Sequence, residues 1–274
     1  MTRNATDRPM SQGEMSMSAR SQPESRWIRT LHSTSSARLR LVCLPHAGGV
    51  AGFFRDWSGR LPGEVELWAV QYPGRENRIG EPLIPDMHSL AEHVTDELRP
   101  FLDLPTVIFG HSMGAAVGYE VVRRLTMTDE HHFVRHLLVS GCAAPHRIRP
   151  FTGHEEARLL DDDQLVAMLR ALGAGGSELL DDPEMRSVVL PAIRNDYGLI
   201  QAYQSPRGRP RLRTAITAFA GRDDAAVHAD DLRAWAQVTQ GRFEARFFPG
   251  GHFYLMHRRD QVIRAVTHVL NTSL

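Results

Sequence analysis

"TVIFGHSMGAAVGYEVV", residues 106–122, passes from an apolar run into a helix-forming run through a Gly-His-Ser-Met-Gly junction. Residues 106–109 are β-branched or aromatic, as a short buried strand requires. Residues 113–125 place Ala, Val, Tyr and Leu at helical spacing. Ser112 therefore falls on a sharp strand-to-helix turn. Side chains two residues to either side of it would collide, which accounts for Gly110 and Gly114. Such a turn projects the hydroxyl from the sheet edge, and the following helix aims the positive end of its dipole at it. Small residues at Ala115, Ala116 and Gly118 let that helix lie close to the sheet.

A serine hydroxyl is a weak nucleophile until a base takes its proton. The chain contains no lysine, so every one of its basic Lys+Arg positions is arginine. That excludes a Ser-Lys dyad, a lysine Schiff base and a P-loop lysine. Histidine held by a carboxylate remains. In an elbow of this kind, the acid and then the base follow the serine along the chain. "ITAFAGRDDAAV" (216–227) puts Asp223 and Asp224 just past a strand, and "ARFFPGGHFYLM" (245–256) puts His252 just past the next. His252 is the expected base. Asp224 is the favoured acid, with Asp223 as the alternative. His257 and His268 fall in the C-terminal helical region and fit the role less well.

The oxyanion of a tetrahedral intermediate needs two donors. One is expected from the backbone N–H of Met113, directly after the serine. The other is expected from the turn in "LVCLPHAGGVAGFF" (41–54), where Ala47 N–H is the candidate. His46 precedes the serine, against the elbow's chain order, and is assigned to shaping that turn.

Around these motifs, strand-like and helix-like segments alternate. Strands are expected at 27–32, 39–44, 65–71, 106–109, 136–140, 214–220 and 243–248, and helices at 87–102, 113–125, 229–238 and 260–270. The alternation predicts an α/β fold, with a mostly parallel central sheet of about seven strands and helices on both faces. The first strand is too close to the second for a helical crossover, so that pair is expected to be antiparallel. Residues 145–211 break the rhythm. They offer helices at 162–172 and 183–204 around "GAGG" (173–176), and are read as a helical lid. Leu172, Leu179 and Leu180 are read either as apolar lining of a channel beneath it or as residues that pack it onto the body. Residues 1–25 are polar and aperiodic and are read as a disordered tail, leaving 26–274 as one domain.

Composition narrows the function. Lys+Arg and Asp+Glu both number 32, which argues against nucleic acid as the main ligand. Cys43 and Cys142 lie in apolar runs and read as buried thiols of a reducing, cytoplasmic setting. Histidine spacings fit no metal site, and no stretch approaches the ~18 apolar residues of a membrane span. No metal, no cofactor and no membrane partner are expected.

These residues together resemble the type II thioesterases of polyketide and nonribosomal peptide biosynthesis, within the α/β-hydrolase superfamily. The resemblance rests on "LRLVCLPHAGGVAGFFRDW" (39–57), "VQYPGRENRIGEPL" (70–83), "FGHSMGAAVGYEVVRRL" (109–125), "LPAIRNDYGLIQAY" (190–203) and "FFPGGHFYLM" (247–256). It covers about residues 27–272. It implies an α/β-hydrolase fold and hydrolysis of acyl thioesters on the phosphopantetheine arm of acyl or peptidyl carrier proteins, in an editing role. It places Ser112, Asp224 and His252 on the family's triad, and Ala47 and Met113 on its oxyanion positions. It implies no cofactor beyond the phosphopantetheine that the substrate carries, and a monomer. Where the family commonly has Asp-Pro, Asp224 is followed by Ala225, which keeps Asp223 open; "RNDY" (194–197) replaces the usual "RADF". Arg75, Glu76 and Arg78 of "GRENR" are open to three readings: a solvated ion pair, a brace for the loop, or a phosphate contact. A carboxylesterase or lipase acting on oxygen esters would share the triad, and a catalytically silent binding protein would share the fold.

Overall fold

The computed structural model describes residues 25–148, 159–173, 175, 177–206 and 208–274. Seven strands form its sheet: β1 (Ile28–His32), β2 (Leu39–Leu44), β3 (Val65–Val70), β4 (Thr106–His111), β5 (Val134–Ser140), β6 (Ala215–Gly221) and β7 (Phe243–Phe248). The helices are α1 (Met87–Leu98), α2 (Met113–Leu125), α3 (Asp162–Ala171), α4 (Pro183–Ala202), α5 (Ala229–Arg233), α6 (Tyr254–His257) and α7 (Arg259–Asn271). Strand order is β1-β3-β2-β4-β5-β6-β7. All neighbours are parallel except β1 and β3.

Side chains on a strand alternate between faces, and the two cores follow from that. Leu39, Leu41 and Cys43 of β2 pack with Phe54, Trp57 and the inner stripe of α7. Val42 and Leu44 of the same strand pack on the opposite face, with α1 and α2. Covered on both faces, β2, β3 and β4 are buried along their whole length, which is why they read as continuous apolar runs.

Three expectations need correction. β1 does run antiparallel, but against β3 rather than β2. Both edges of β2 are taken, by β3 and β4, so β1 has only the free edge of β3 to join. The helix expected at 87–102 ends at Leu98 and continues as a 3-10 turn over Arg99–Phe101, because Pro100 has no N–H to extend it. The helix expected at 229–238 divides into α5 and a 3-10 turn over Ala234–Val238.

Between β5 and β6, the described residues hold α3, a 3-10 turn (Ser177–Asp181) and α4, and no strand. Asp161 caps α3 through a reciprocal box with Gln164. The tail expected at 1–25 lies outside the described residues except for Ser25, whose hydroxyl bonds Glu97 at 2.5 Å. Registers such as Gly110↔Val139 and Gly221↔Phe248 align the ends of β4, β5, β6 and β7 along one edge of the sheet. Ser112, Asp224 and His252 each follow one of these ends.

Candidate active site

β4 runs two residues further than its apolar run, to His111, and α2 begins at Met113. Ser112 alone makes the turn, at φ 53° and ψ −120°, backbone that a non-glycine residue rarely adopts. Its amide donates to the carbonyl of Ser140 at 2.7 Å, pinning the turn to β5. The flanking glycines are required by close approach. A Cβ on Gly110 would stand 2.1 Å from the Gly114 carbonyl oxygen, and one on Gly114 would stand 2.2 Å from that of Leu44.

The two loops after β6 and β7 bring the other side chains in. His252 Nδ1–H donates to Asp224 Oδ2 at 2.9 Å, and the Ser112 hydroxyl donates to His252 Nε2 at 3.0 Å. A carboxylate only accepts, so Asp224 fixes the tautomer that leaves Nε2 free to take a proton. The other oxygen of Asp224 accepts the Ala226 N–H at 2.9 Å, which holds the carboxylate plane. Asp224 is buried whereas Asp223 is exposed and braces the other loop through Gly250 N–H at 3.3 Å. Of the two adjacent acids, the structure brings only Asp224 to His252. His257 and His268 lie on α6 and α7.

Behind His252 stands a wall that the sequence did not reveal. His111 is fully buried, 5.0 Å from the His252 ring between centroids, and its Nδ1 bonds Ser140 Oγ at 2.9 Å. Ser140 Oγ in turn bonds the Tyr254 hydroxyl at 2.7 Å. His46 packs edge-on against Phe53, Phe253 and His111. Burial, then the neighbouring His252 and Arg75, lower His46 to about 3. Burial likewise pushes His111 well below the usual imidazole range. Both rings are therefore neutral at pH 7, and serve as walls rather than bases. The His46 carbonyl closes its turn by accepting the Gly49 N–H at 2.9 Å.

Ser112, His252 and Ala47 face a cavity of about 210 Å³. Leu172, Tyr197 and Ile200 wall it from the segment between β5 and β6, and Arg147, His228 and Asp231 add polar groups. Met113 is wholly buried at the start of α2, which leaves its backbone N–H among the unpaired amides of the helix terminus. Of the three leucines read as lining or as packing, Leu172 lines the cavity. Leu180 packs into the core, and Leu179 is 60% exposed. Cys142 reaches the cavity as a buried free thiol, and burial raises it to about 12, so it is no competing nucleophile.

The GRENR arginines are not solvated. Arg75 and Arg78 are 6% and 4% exposed. Arg78 bonds Glu81 and the Gln71 carbonyl and lies 4.1 Å over the Trp27 ring. Arg75 pairs with Asp196 of α4. They brace the loop. Asp196 itself was missed in the sequence, although it stands on the apolar stripe of α4 with Ile193, Tyr197 and Ile200. Among the described residues, no group of three or more His, Cys, Asp or Glu is placed to hold a metal ion. No described helix is long and apolar enough to cross a membrane.

A mostly parallel sheet carrying its serine on a strand-to-helix turn, with acid and histidine on later loops at the same edge, defines an α/β-hydrolase. Residues 39–270 match the family model of the thioesterase domain, and the chain belongs to that family, whose members hydrolyse thioesters. It is 37% identical over 246 residues to a probable cadicidin biosynthesis thioesterase of Streptomyces griseus, covering 90% of this chain and 66% of that one. It is 35% identical over 249 residues to the gramicidin S biosynthesis protein GrsT of Aneurinibacillus migulanus, covering 91% and 95%. Among solved structures, the type II thioesterase BorB of the borrelidin biosynthetic cluster superposes with a TM-score of 0.79 at 38% identity, covering 88% of this chain and 96% of that one.

Proposed function

We propose that the protein is an editing thioesterase that hydrolyses acyl groups from the phosphopantetheine arm of acyl or peptidyl carrier proteins in polyketide or nonribosomal peptide synthesis. The observation that carries this is the unbroken Asp224–His252–Ser112 hydrogen-bond chain, whose Ser112 and His252 line the cavity. Similarity to proteins named for cadicidin, gramicidin S and borrelidin biosynthesis supports the substrate class. Residues 26–274 form the catalytic domain in this reading, and 145–211 its lid.

The chemistry follows from the geometry. Ser112 Oγ attacks the thioester carbonyl carbon while His252 Nε2 takes its proton. Asp224 stabilises the imidazolium that forms. The carbonyl oxygen becomes an oxyanion, received by the N–H groups of Ala47 and Met113 at the positive end of α2. Collapse breaks the C–S bond, and His252 returns the proton to the departing thiolate. A water then attacks the acyl-serine with His252 again as base, releasing the carboxylic acid and restoring Ser112. The test is intact-protein mass spectrometry of an acyl-phosphopantetheinyl carrier protein incubated with the enzyme, beside a matched oxygen ester. Loss of the acyl mass from the carrier, faster than hydrolysis of the ester, supports the proposal. An untouched carrier with a cleaved ester makes the protein a carboxylesterase.

A further inference from the structure

The loop that carries Ala47 is held from three sides. The Tyr72 hydroxyl donates to the Pro45 carbonyl at 3.4 Å. Gln71 Oε1 accepts the Ala51 N–H at 2.8 Å. Between them, Asp196 Oδ2 accepts the Gly48 N–H at 2.8 Å. The first two partners come from the strand-end beside the loop. The third reaches in from the middle of α4, 148 residues away in sequence.

Asp196 is 2% exposed and its carboxylate is shared with Arg75, itself nearly buried. Arg75 is fixed in turn, donating from Nη1 to the Pro73 carbonyl at 2.8 Å. A buried ion pair is a costly way to attach a helix, and α4 does not need it for attachment. Leu190, Ile193, Tyr197 and Leu199 already pack it into the core. Asn195 Nδ2 bonds the Ile84 carbonyl at 2.9 Å, and the Tyr203 hydroxyl, just past the helix, bonds Glu120 at 2.8 Å. What Asp196 alone does is grip a main-chain amide one residue beyond Ala47. Gly48 lies at φ 74° with Ile193 directly against it, so a Cβ there would stand 2.5 Å from Ile193 Cγ1. The helix and the loop are built to one another's shape at this point.

We propose that Asp196 is a positioning residue for hydrolysis: its carboxylate, oriented by Arg75, holds the Gly48 peptide so that the preceding Ala47 N–H faces the oxyanion. The inference rests on the thioesterase reading, and in particular on Ala47 as an oxyanion donor. A preorganised donor acts mainly on the charge that develops in the transition state and contributes little to holding the ground-state carbonyl. Loosening Gly48 should therefore reduce turnover with little change in substrate binding.

The test uses two full-length variants. Asp196→Asn keeps the shape and an acceptor oxygen but removes the charge that Arg75 orients. The pair Arg75→Met with Asp196→Leu removes both charges together, so no uncompensated ion is left to unfold the protein. Three quantities are measured for each: hydrolysis of a short acyl-pantetheine thioester, affinity for an alkylboronic acid that forms a tetrahedral adduct on Ser112, and affinity for the thioether in which CH2 replaces the carbonyl. The expected result in both variants is a fall in kcat of about 10- to 100-fold with KM within about twofold. Boronate affinity should fall by a similar factor and thioether affinity should hold. Unchanged kcat in either folded variant overturns the proposal. So does a kcat loss with boronate affinity intact, or an equal loss of boronate and thioether affinity, which would mark a purely structural role. The wild-type arm separates the two levels: a wild-type enzyme that leaves the thioester intact refutes the thioesterase reading itself, whereas wild-type turnover matched by the variants refutes this inference alone.

Discussion

Glu120→Gln should cost stability at neutral pH and progressively less in acid. Glu120 lies on α2 with its side chain 0% exposed. Its Oε1 accepts the Tyr203 hydroxyl at 2.8 Å and an Arg209 N–H. Its Oε2 accepts from Arg124 at 2.8 Å and from Arg123 at 3.1 Å. Burial pushes this carboxyl up, but the Tyr203 hydrogen bond and the Arg123 and Arg209 charges outweigh it and bring the pKa from 4.5 down to about 2. At about 1.36 kcal/mol per pH unit, that gap corresponds to about 3 kcal/mol for the ionised group. Solvent reaching the partly exposed guanidinia makes this an upper figure. Because the folded pKa lies below the unfolded one, the contribution is complete above pH 4.5 and is lost as pH falls toward 2. Urea unfolding of wild type and variant should therefore differ by about 2–3 kcal/mol at pH 7 and by roughly half of that at pH 3. A difference that is the same at both pH values, or below about 0.5 kcal/mol at pH 7, would refute the clamp between α2 and the end of α4.

Other outcomes follow from the same geometry. Asp224→Asn should lower kcat/KM by about 10³- to 10⁴-fold through the wrong imidazole tautomer, while Asp223→Asn should stay within about threefold; steady-state kinetics on one soluble thioester ranks them. Gly114→Ala forces a methyl to within 2.2 Å of the Leu44 carbonyl oxygen, with no flexible side chain to yield. It should cost about 1–3 kcal/mol or more in chemical unfolding and displace Ser112. At Gly175 an added Cβ meets only the mobile end of Met256, at 2.4 Å from Cε. Gly175→Ala should leave the thermal midpoint nearly unchanged but slow carrier-bound substrates more than small soluble thioesters; equal slowing of both classes, or no slowing of either, would deny Gly175 a gating role.

The serine turn was open to sequence reading because its constraints are local. Gly110, Ser112 and Gly114 lie within one turn, and their spacing is itself the geometry. Asp224 and His252 were readable for a related reason: each follows an apolar strand, and parallel strands end at one edge. The partner of β1 was not readable, since pairing depends on which sheet edge is free rather than on proximity along the chain. Nor was the burial of Arg75, whose counter-ion is 121 residues away. Asp196 and Glu120 did leave a trace. Each is a carboxylate on the apolar face of an amphipathic helix, between Ile193 and Tyr197 in one case and beside Val117 and Val121 in the other. A charge placed there must find a buried partner, although nothing in the sequence names it. His111 left no such trace, because the position between Gly110 and Ser112 is chemically unrestricted in the turn.

In the proposed reaction Ser112 carries the acyl group between thiol and water. The most direct measurement is acid-quenched tandem mass spectrometry of the enzyme mixed with an acyl-phosphopantetheinyl carrier protein. The peptide containing Ser112 should gain a mass equal to the acyl group, and a folded Ser112→Ala variant should show neither adduct nor thioester hydrolysis. Acyl transfer to another residue, or wild-type rates of carrier deacylation in Ser112→Ala, would contradict it.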